Sequence, residues 1–268
     1  MKQRTITAVI ALILFIPIVV AGGYWIDWLA AALAAVGISE IFLMKKQILL
    51  SIDFLLALLA TLTWTVPKTF FNVFPKEVTR PGIYFTMVML LLTWTVLSKN
   101  KTSFDDVGVY TLASLYIGTG FHYLAAIRNI DHGSMLGLAL LGYVFVVVWS
   151  TDIGAYMIGK KFGKHKLWPV ISPNKTWEGS IGAVVCAIAF SAIYINVVPL
   201  VKDYSYLIWT SAILSIVGQM GDLVESAYKR YYGVKDSGKI LPGHGGILDR
   251  FDSMLFVLPV IALFFIKG

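Results

Sequence analysis

Apolar runs return along this chain from its first residues to its last, and that recurrence limits its fold more than any other feature. A helix crossing the hydrocarbon core of a bilayer takes about 20 apolar residues. Nine segments meet that template, at roughly 5–22, 24–43, 48–66, 81–98, 107–127, 135–158, 179–201, 204–225 and 253–267. Inside lipid each must satisfy its own backbone N–H and C=O groups, as a helix does. Composition agrees: 58% of the 268 residues are hydrophobic and 14% charged, and mean hydropathy is +0.78, outside the range of soluble globular chains. The expectation is an all-α polytopic integral membrane protein with about nine transmembrane helices. Nothing after the first run resembles a cleavage site followed by a soluble domain, so that run is read as a retained helix.

Charge gives the chain a direction. If the spans alternate, sixteen Lys and Arg residues fall on the side of the N-terminus, among them Lys2, Lys45, Lys160, Lys175, Lys229 and Arg250. Six fall on the other: Lys68, Lys76, Arg80, Arg128, Lys202 and Lys267. The positive-inside rule then sets the N-terminus in the cytoplasm, in a bacterial-type inner (cytoplasmic) membrane. The net charge of +7 flanks membrane segments, which points to anionic headgroups or phosphates and away from nucleic acid. The single cysteine, Cys186, excludes an intrachain disulfide and is read as a packing residue.

Polar chemistry is concentrated in the second half. Residues 1–130 read as scaffold helices and, for a homodimer, as the pairing surface. Residues 131–268 read as the catalytic membrane domain, with two long cytoplasmic loops at 159–178 and 226–252. Asp152 lies near the end of the sixth span, Asp222 and Glu225 at the end of the eighth, and Asp249 and Asp252 before the ninth. All stand at one depth, just inside the cytoplasmic interface. Ser215, Gln219, Asp222 and Ser226 follow helical spacing and make a polar stripe on one face of the eighth helix. Such groups either glue helices together or mark a site, because intramembrane carboxylates are costly.

Carboxylates beside basic loops suit Mg²⁺ and a nucleotide phosphate, since Mg²⁺ takes one or two carboxylates plus phosphate oxygens and waters. Gly243, Gly245 and Gly246 permit backbone N–H groups to approach an anion, or they form a tight turn with Asp252 as the helix N-cap. "GKKFGKH" is not a phosphate-binding P-loop: it has three residues between its glycines and His165 where Ser or Thr is needed. His122, His132, His165 and His244 have no zinc-like spacing.

The run Ser226, Lys229-Arg230, Lys235-Asp236, Leu241-Pro242, His244-Gly245-Gly246 and Asp249-Arg250-Phe251-Asp252 closely resembles the signature of phosphatidate cytidylyltransferases, the CDP-diacylglycerol synthases. Asp152 through Gly179, with "ISPNKTWEGS", resembles that family's other cytoplasmic block, and the likeness covers roughly residues 140–268. Tyr228 departs slightly from the signature. The resemblance implies transfer of a cytidylyl group from CTP to phosphatidic acid, with Mg²⁺ and room for a second cation. On that footing Asp222 and Asp249 lead as metal ligands, with Asp152 or Asp252 as a further ligand or anchor. Lys229, Arg230, Lys235 and Arg250 would bind phosphates, joined by Lys175; Asp236, Gly245 and Gly246 would line the substrate site with them, and His244 would donate to phosphate or serve the turn. Ser172 and Thr176 would contact phosphate or cap the seventh helix. Two alternatives stand beside this reading, a CTP-dependent polyprenol kinase and an ion-coupled transporter.

Overall fold

The computed structural model describes residues 2–73, 75, 77–130, 135–198 and 204–265. Among them a helix occupies each apolar segment: α1 (Lys2–Ala21), α2 (Gly23–Met44), α3 (Ile52–Thr65), α4 (Arg80–Leu97), α5 (Phe104–Arg128), α6 (Met135–Phe162), α7 (Trp177–Val197), α8 (Tyr204–Tyr231) and α9 (Leu248–Phe265). By length and composition four of these described helices, α2, α4, α6 and α7, are able to cross a membrane. His132, Lys76, Lys202 and Lys267 lie outside the described residues.

Local chemistry sets the helix ends. Ser51 caps α3 by accepting from the Phe54 N–H at 3.4 Å. Val66 is extended at the other end, as a residue before proline must be. The resulting 14 residues span about 21 Å at 1.5 Å per residue, shorter than the apolar run at 48–66 suggests. Thr79 caps α4, with Pro81 in the first turn where its missing N–H costs nothing.

One expectation needs correction and another a local addition. First, helices outlast the hydrophobic runs: α6 continues to Phe162, α8 to Tyr231, and α9 begins at Leu248. The loop read as 226–252 therefore shrinks to 232–247. Lys160, Lys161, Lys229 and Arg230 fill the last turns of α6 and α8, where cations favour the helix dipole. Second, the helical fold that the apolar runs predict carries one small strand pair besides. A small antiparallel ribbon, β1 (Lys166–Trp168) and β2 (Ser172–Thr176), pairs Lys166 with Thr176 and Trp168 with Ser172. Pro169 and Pro173 interrupt so short a segment that no alternating pattern announces it.

The chain divides into two compact units, Met1–Ala126 with Asp236–Asp249, and Ile127–Lys235 with Arg250–Gly268. The first has a core of Ile26, Ala30, Ala34, Ile38, Phe42, Ile117 and Leu248, with Phe42 stacked on Tyr110 at 4.1 Å between ring centroids. Gly37 lets α2 lie close to Ile117 and Leu248: a Cβ there would stand 3.1 Å from each. In the second unit α6 and α7 approach through small residues, as membrane helices do. A Cβ on Gly154 would meet Cys186 at 2.7 Å, so the lone cysteine packs against a glycine.

Candidate active site

Within the second unit, the polar stripe of α8 faces neighbours that answer it. Thr151 of α6 donates to the Ser215 hydroxyl at 2.9 Å. Gln219 Nε2 reaches the Ser180 carbonyl of α7 at 3.4 Å. One turn further, Asp222 pairs with Lys175 at 2.6 Å and accepts from Ser226 at 3.3 Å. Lys175 is brought there by β2. The ribbon is itself tied to the first turn of α7, where Glu178 accepts from the backbone N–H of Lys164 at 3.1 Å and lies 2.6 Å from His165 Nδ1.

These elements enclose a cavity of about 280 Å³ lined by Asp152, Tyr156, Asn174, Lys175, Gln219 and Asp222, among others. Clefts for whole small molecules run from roughly 300 to 1,000 Å³, so this one takes part of such a molecule better than its entirety. Asp152 faces solvent there and makes no hydrogen bond or ion pair among the described residues. It feels the charges of Asp222, Lys175 and Arg250. Asp252 feels Asp222, Asp152 and Lys229. Three carboxylates from α6, α8 and α9 thus share one electrostatic neighbourhood, with a single lysine bonded directly to one of them.

Other expected residues have different employment. Lys229 pairs with Glu225 at 2.6 Å, and that glutamate is only 1% exposed. Arg230 donates to the carbonyls of Ile171 at 3.4 Å and Val234 at 3.2 Å, which fixes the ribbon's turn to the end of α8. Thr176, offered as a phosphate contact or a cap, accepts from the Gly179 N–H at 3.2 Å and caps α7. Ser172 opens β2 opposite Trp168. Lys235 and Asp236 are exposed. Asp252 is not the N-cap of the last helix, because α9 starts four residues before it; it stands in the second turn.

Asp249 belongs to the first unit. Its Oδ2 accepts from the Ser237 N–H at 2.8 Å, the Ser237 hydroxyl at 2.9 Å and the Gly246 N–H at 2.8 Å. Gly245 has a φ of +84°, a region L side chains avoid, and a Cβ there would collide with Asp249. His244 closes the same turn through its N–H to the Leu241 carbonyl at 2.8 Å; its Nδ1 is buried with no hydrogen-bond partner among the described residues. Sequence reasoning missed Glu40, which lies 2% exposed in α2 and joins this cluster. Its signal was a carboxylate inside an apolar run, the same cost argument applied to Asp222.

The comparisons with known proteins bear on this arrangement. A model described as the cytidylyltransferase family matches residues 2–266. The chain belongs to that family. It is 48% identical over 261 residues to a phosphatidate cytidylyltransferase of Bacillus subtilis (strain 168), covering 97% of this chain and 96% of the relative. Proteins of the same name from Staphylococcus haemolyticus (strain JCSC1435) and Staphylococcus aureus (strain COL) are 44% identical over 271 residues and 42% over 269, each match covering 100% of both chains. For a cytidylyltransferase the donor set of the second unit fits Mg²⁺. Its oxygens are hard carboxylates, and among the described residues no three His, Cys, Asp or Glu side chains close around a metal alone. Mg²⁺ takes one or two carboxylates with phosphate oxygens and waters.

Proposed function

We propose that this protein transfers the cytidylyl group of CTP to phosphatidic acid, releasing pyrophosphate and forming CDP-diacylglycerol, on the cytoplasmic side of the membrane. The observation that carries the reading is the cavity where Lys175, Asp222 and Asp152 meet, in a chain related over its whole length to proteins named for this reaction. A phosphate oxygen of the lipid attacks the α-phosphorus of CTP, the bond from that phosphorus to the bridging oxygen of the β-phosphate breaks, and pyrophosphate departs. The lipid phosphate is a monoester whose second pKa is about 6, so the attacking oxygen is already ionised and no strong base is required. Catalysis is then positioning and charge neutralisation.

Lys175 and Arg250 supply positive charge to phosphates, and release of Lys175 from Asp222 would expose a carboxylate as a phosphate group arrives. Lys235 and His244 extend phosphate binding along the loop, with Asp236, Gly245 and Gly246 beside them. Lys229 and Arg230 hold the end of α8 and the ribbon in register. Asp222 would hold Mg²⁺ with Asp152 or Asp252, and the ion would neutralise charge on the triphosphate. A metal bond from Asp249 would have to coexist with its three hydrogen bonds to the loop. The excess of basic residues on the N-terminal side supports cytoplasmic orientation and nine crossings. Exposed apolar side chains of α1 and α4, such as Ile13, Leu14 and Phe85, suit lipid or, in a homodimer, a second copy.

Purified protein incubated with labelled CTP and phosphatidic acid, with and without Mg²⁺, should form a labelled CDP-lipid and pyrophosphate only when the metal is present. Release of CDP with phosphorylation of a lipid would instead identify a kinase, and the absence of any lipid product would refute both.

A further inference from the structure

We propose that Glu40 is a positioning residue for the reaction, the anchor that shapes the loop 236–248 from α2 of the first unit; the inference rests on the function proposed above. Glu40 Oε1 accepts from the Ile247 N–H at 2.7 Å. Oε2 accepts from the Leu248 N–H at 2.9 Å and the Ser237 hydroxyl at 2.8 Å. The buried carboxylate therefore grips both ends of the loop at once: Ser237 where it begins, and the first N–H groups of α9 where it ends. Buried N–H donors left without an acceptor are costly, and an acid at a helix N-terminus is favoured by the dipole.

The loop is also built to the shape of this side chain. A Cβ on Gly238 would lie 2.7 Å from Glu40 Oε1, and one on Gly246 would collide with both Glu40 oxygens and with Ser237 Oγ. Two glycines in the loop thus make room for one carboxylate. Ser237 passes the constraint on, since its N–H and hydroxyl also reach Asp249 Oδ2. Glu40 touches no residue assigned above to bond breaking. It acts through the conformation of His244, Gly245, Gly246 and Asp249, which sequence spacing alone joins to the site.

The test compares wild type with Glu40→Gln and Gly246→Ala in detergent or nanodiscs, by two measurements. Glu40→Gln keeps the volume but replaces one acceptor oxygen with a donor facing an N–H. Amide hydrogen exchange of the peptide covering 236–248 should quicken at least tenfold in both variants, with α2 and α5 unchanged. In the activity assay the KM for CTP should rise at least fivefold and kcat fall at least tenfold. A mere loss of folded protein would lower kcat and leave KM alone. Unchanged exchange in the loop would overturn the proposal, as would quickened exchange with KM for CTP within twofold of wild type. If wild type makes no CDP-lipid while loop exchange still responds, the anchor stands and the proposed reaction fails.

Discussion

Each unit carries a carboxylate group of unusual cost, and the two are treated in opposite ways. In the first, Glu40 accepts from Ile247, Leu248 and Ser237, and Asp249 Oδ2 from Ser237 and Gly246. In the second, Asp152 opens into a cavity with no direct partner among the described residues, and Asp222 meets Lys175 and Ser226. A buried charge whose lone pairs are filled by fixed donors is a structural part, because moving it would strand the donors. A carboxylate with fewer fixed donors can change partners at less cost. The sequence presents all four as acids near an apolar run; only the structure shows how many fixed donors each one meets.

The sharpest way to break this contrast is Asp222→Asn. If the second group is chemical, this near-isosteric change should lower CDP-lipid formation by about 10²–10³-fold, the usual consequence of removing one preorganised charge contact, while the thermal midpoint in detergent barely moves. Normal turnover at low Mg²⁺ would mean that Asp222 only anchors Lys175. Glu40→Ala should do the reverse in its first effect. It strands the N–H groups of Ile247 and Leu248 in a buried place, a loss of about 2–4 kcal/mol, which for a chain of this size corresponds to a fall in thermal midpoint on the order of 5–15 °C.

Asp152→Asn sharpens the comparison from the other side. Asp152 has Asp222 and Asp252 as like-charged neighbours against Lys175 and Arg250 and, among the described residues, no ion pair to lose, so neutralising it removes repulsion and attraction together. The expected result is a thermal midpoint unchanged or raised by about 1–2 °C, together with a roughly tenfold higher Mg²⁺ concentration for half-maximal activity. A residue that destabilises when neutralised and leaves the metal requirement untouched would belong with Glu40 instead.

How much of this was legible beforehand follows from which interactions are local. Apolar runs and caps are local, so each run coincides with a helix, and the spacing of Ser215, Gln219, Asp222 and Ser226 foretold a stripe that the structure partners with Thr151, Ser180 and Lys175. Helix ends beyond the lipid were misjudged because hydropathy falls at Ser226 while backbone bonding continues to Tyr231. Glu40 lies almost 200 residues before its partners in the loop, and no pattern in either segment connects them. Lys229 pairs with Glu225 one turn earlier, a local contact, and its expected phosphate role stays a proposal.

A further carboxylate, Asp106, tests the rule where it should be weakest. Asp106, in the first turn of α5 just before the apolar run from 107, forms a capping box with Ser103: its Oδ2 accepts from the Ser103 N–H at 2.9 Å and hydroxyl at 2.7 Å, while Ser103 Oγ accepts from the Asp106 N–H at 3.1 Å. Lys45 bonds it at 2.6 Å. Burial opposes its ionisation, but the Lys45 bond and the Ser103 donors outweigh that cost and hold its pKa below the ordinary carboxylate value. The folded state therefore binds this proton less readily than the unfolded chain. Its contribution to stability is complete above the unfolded value, about 3.9 for Asp, and is lost as pH falls through the lower folded value. Asp106→Asn should accordingly lower the thermal midpoint by a few degrees at pH 7, and the gap from wild type should close only below about pH 4. A gap that closed between pH 5 and pH 7 would mean that another group governs this pair, and that saturation by donors does not by itself keep a carboxylate charged here.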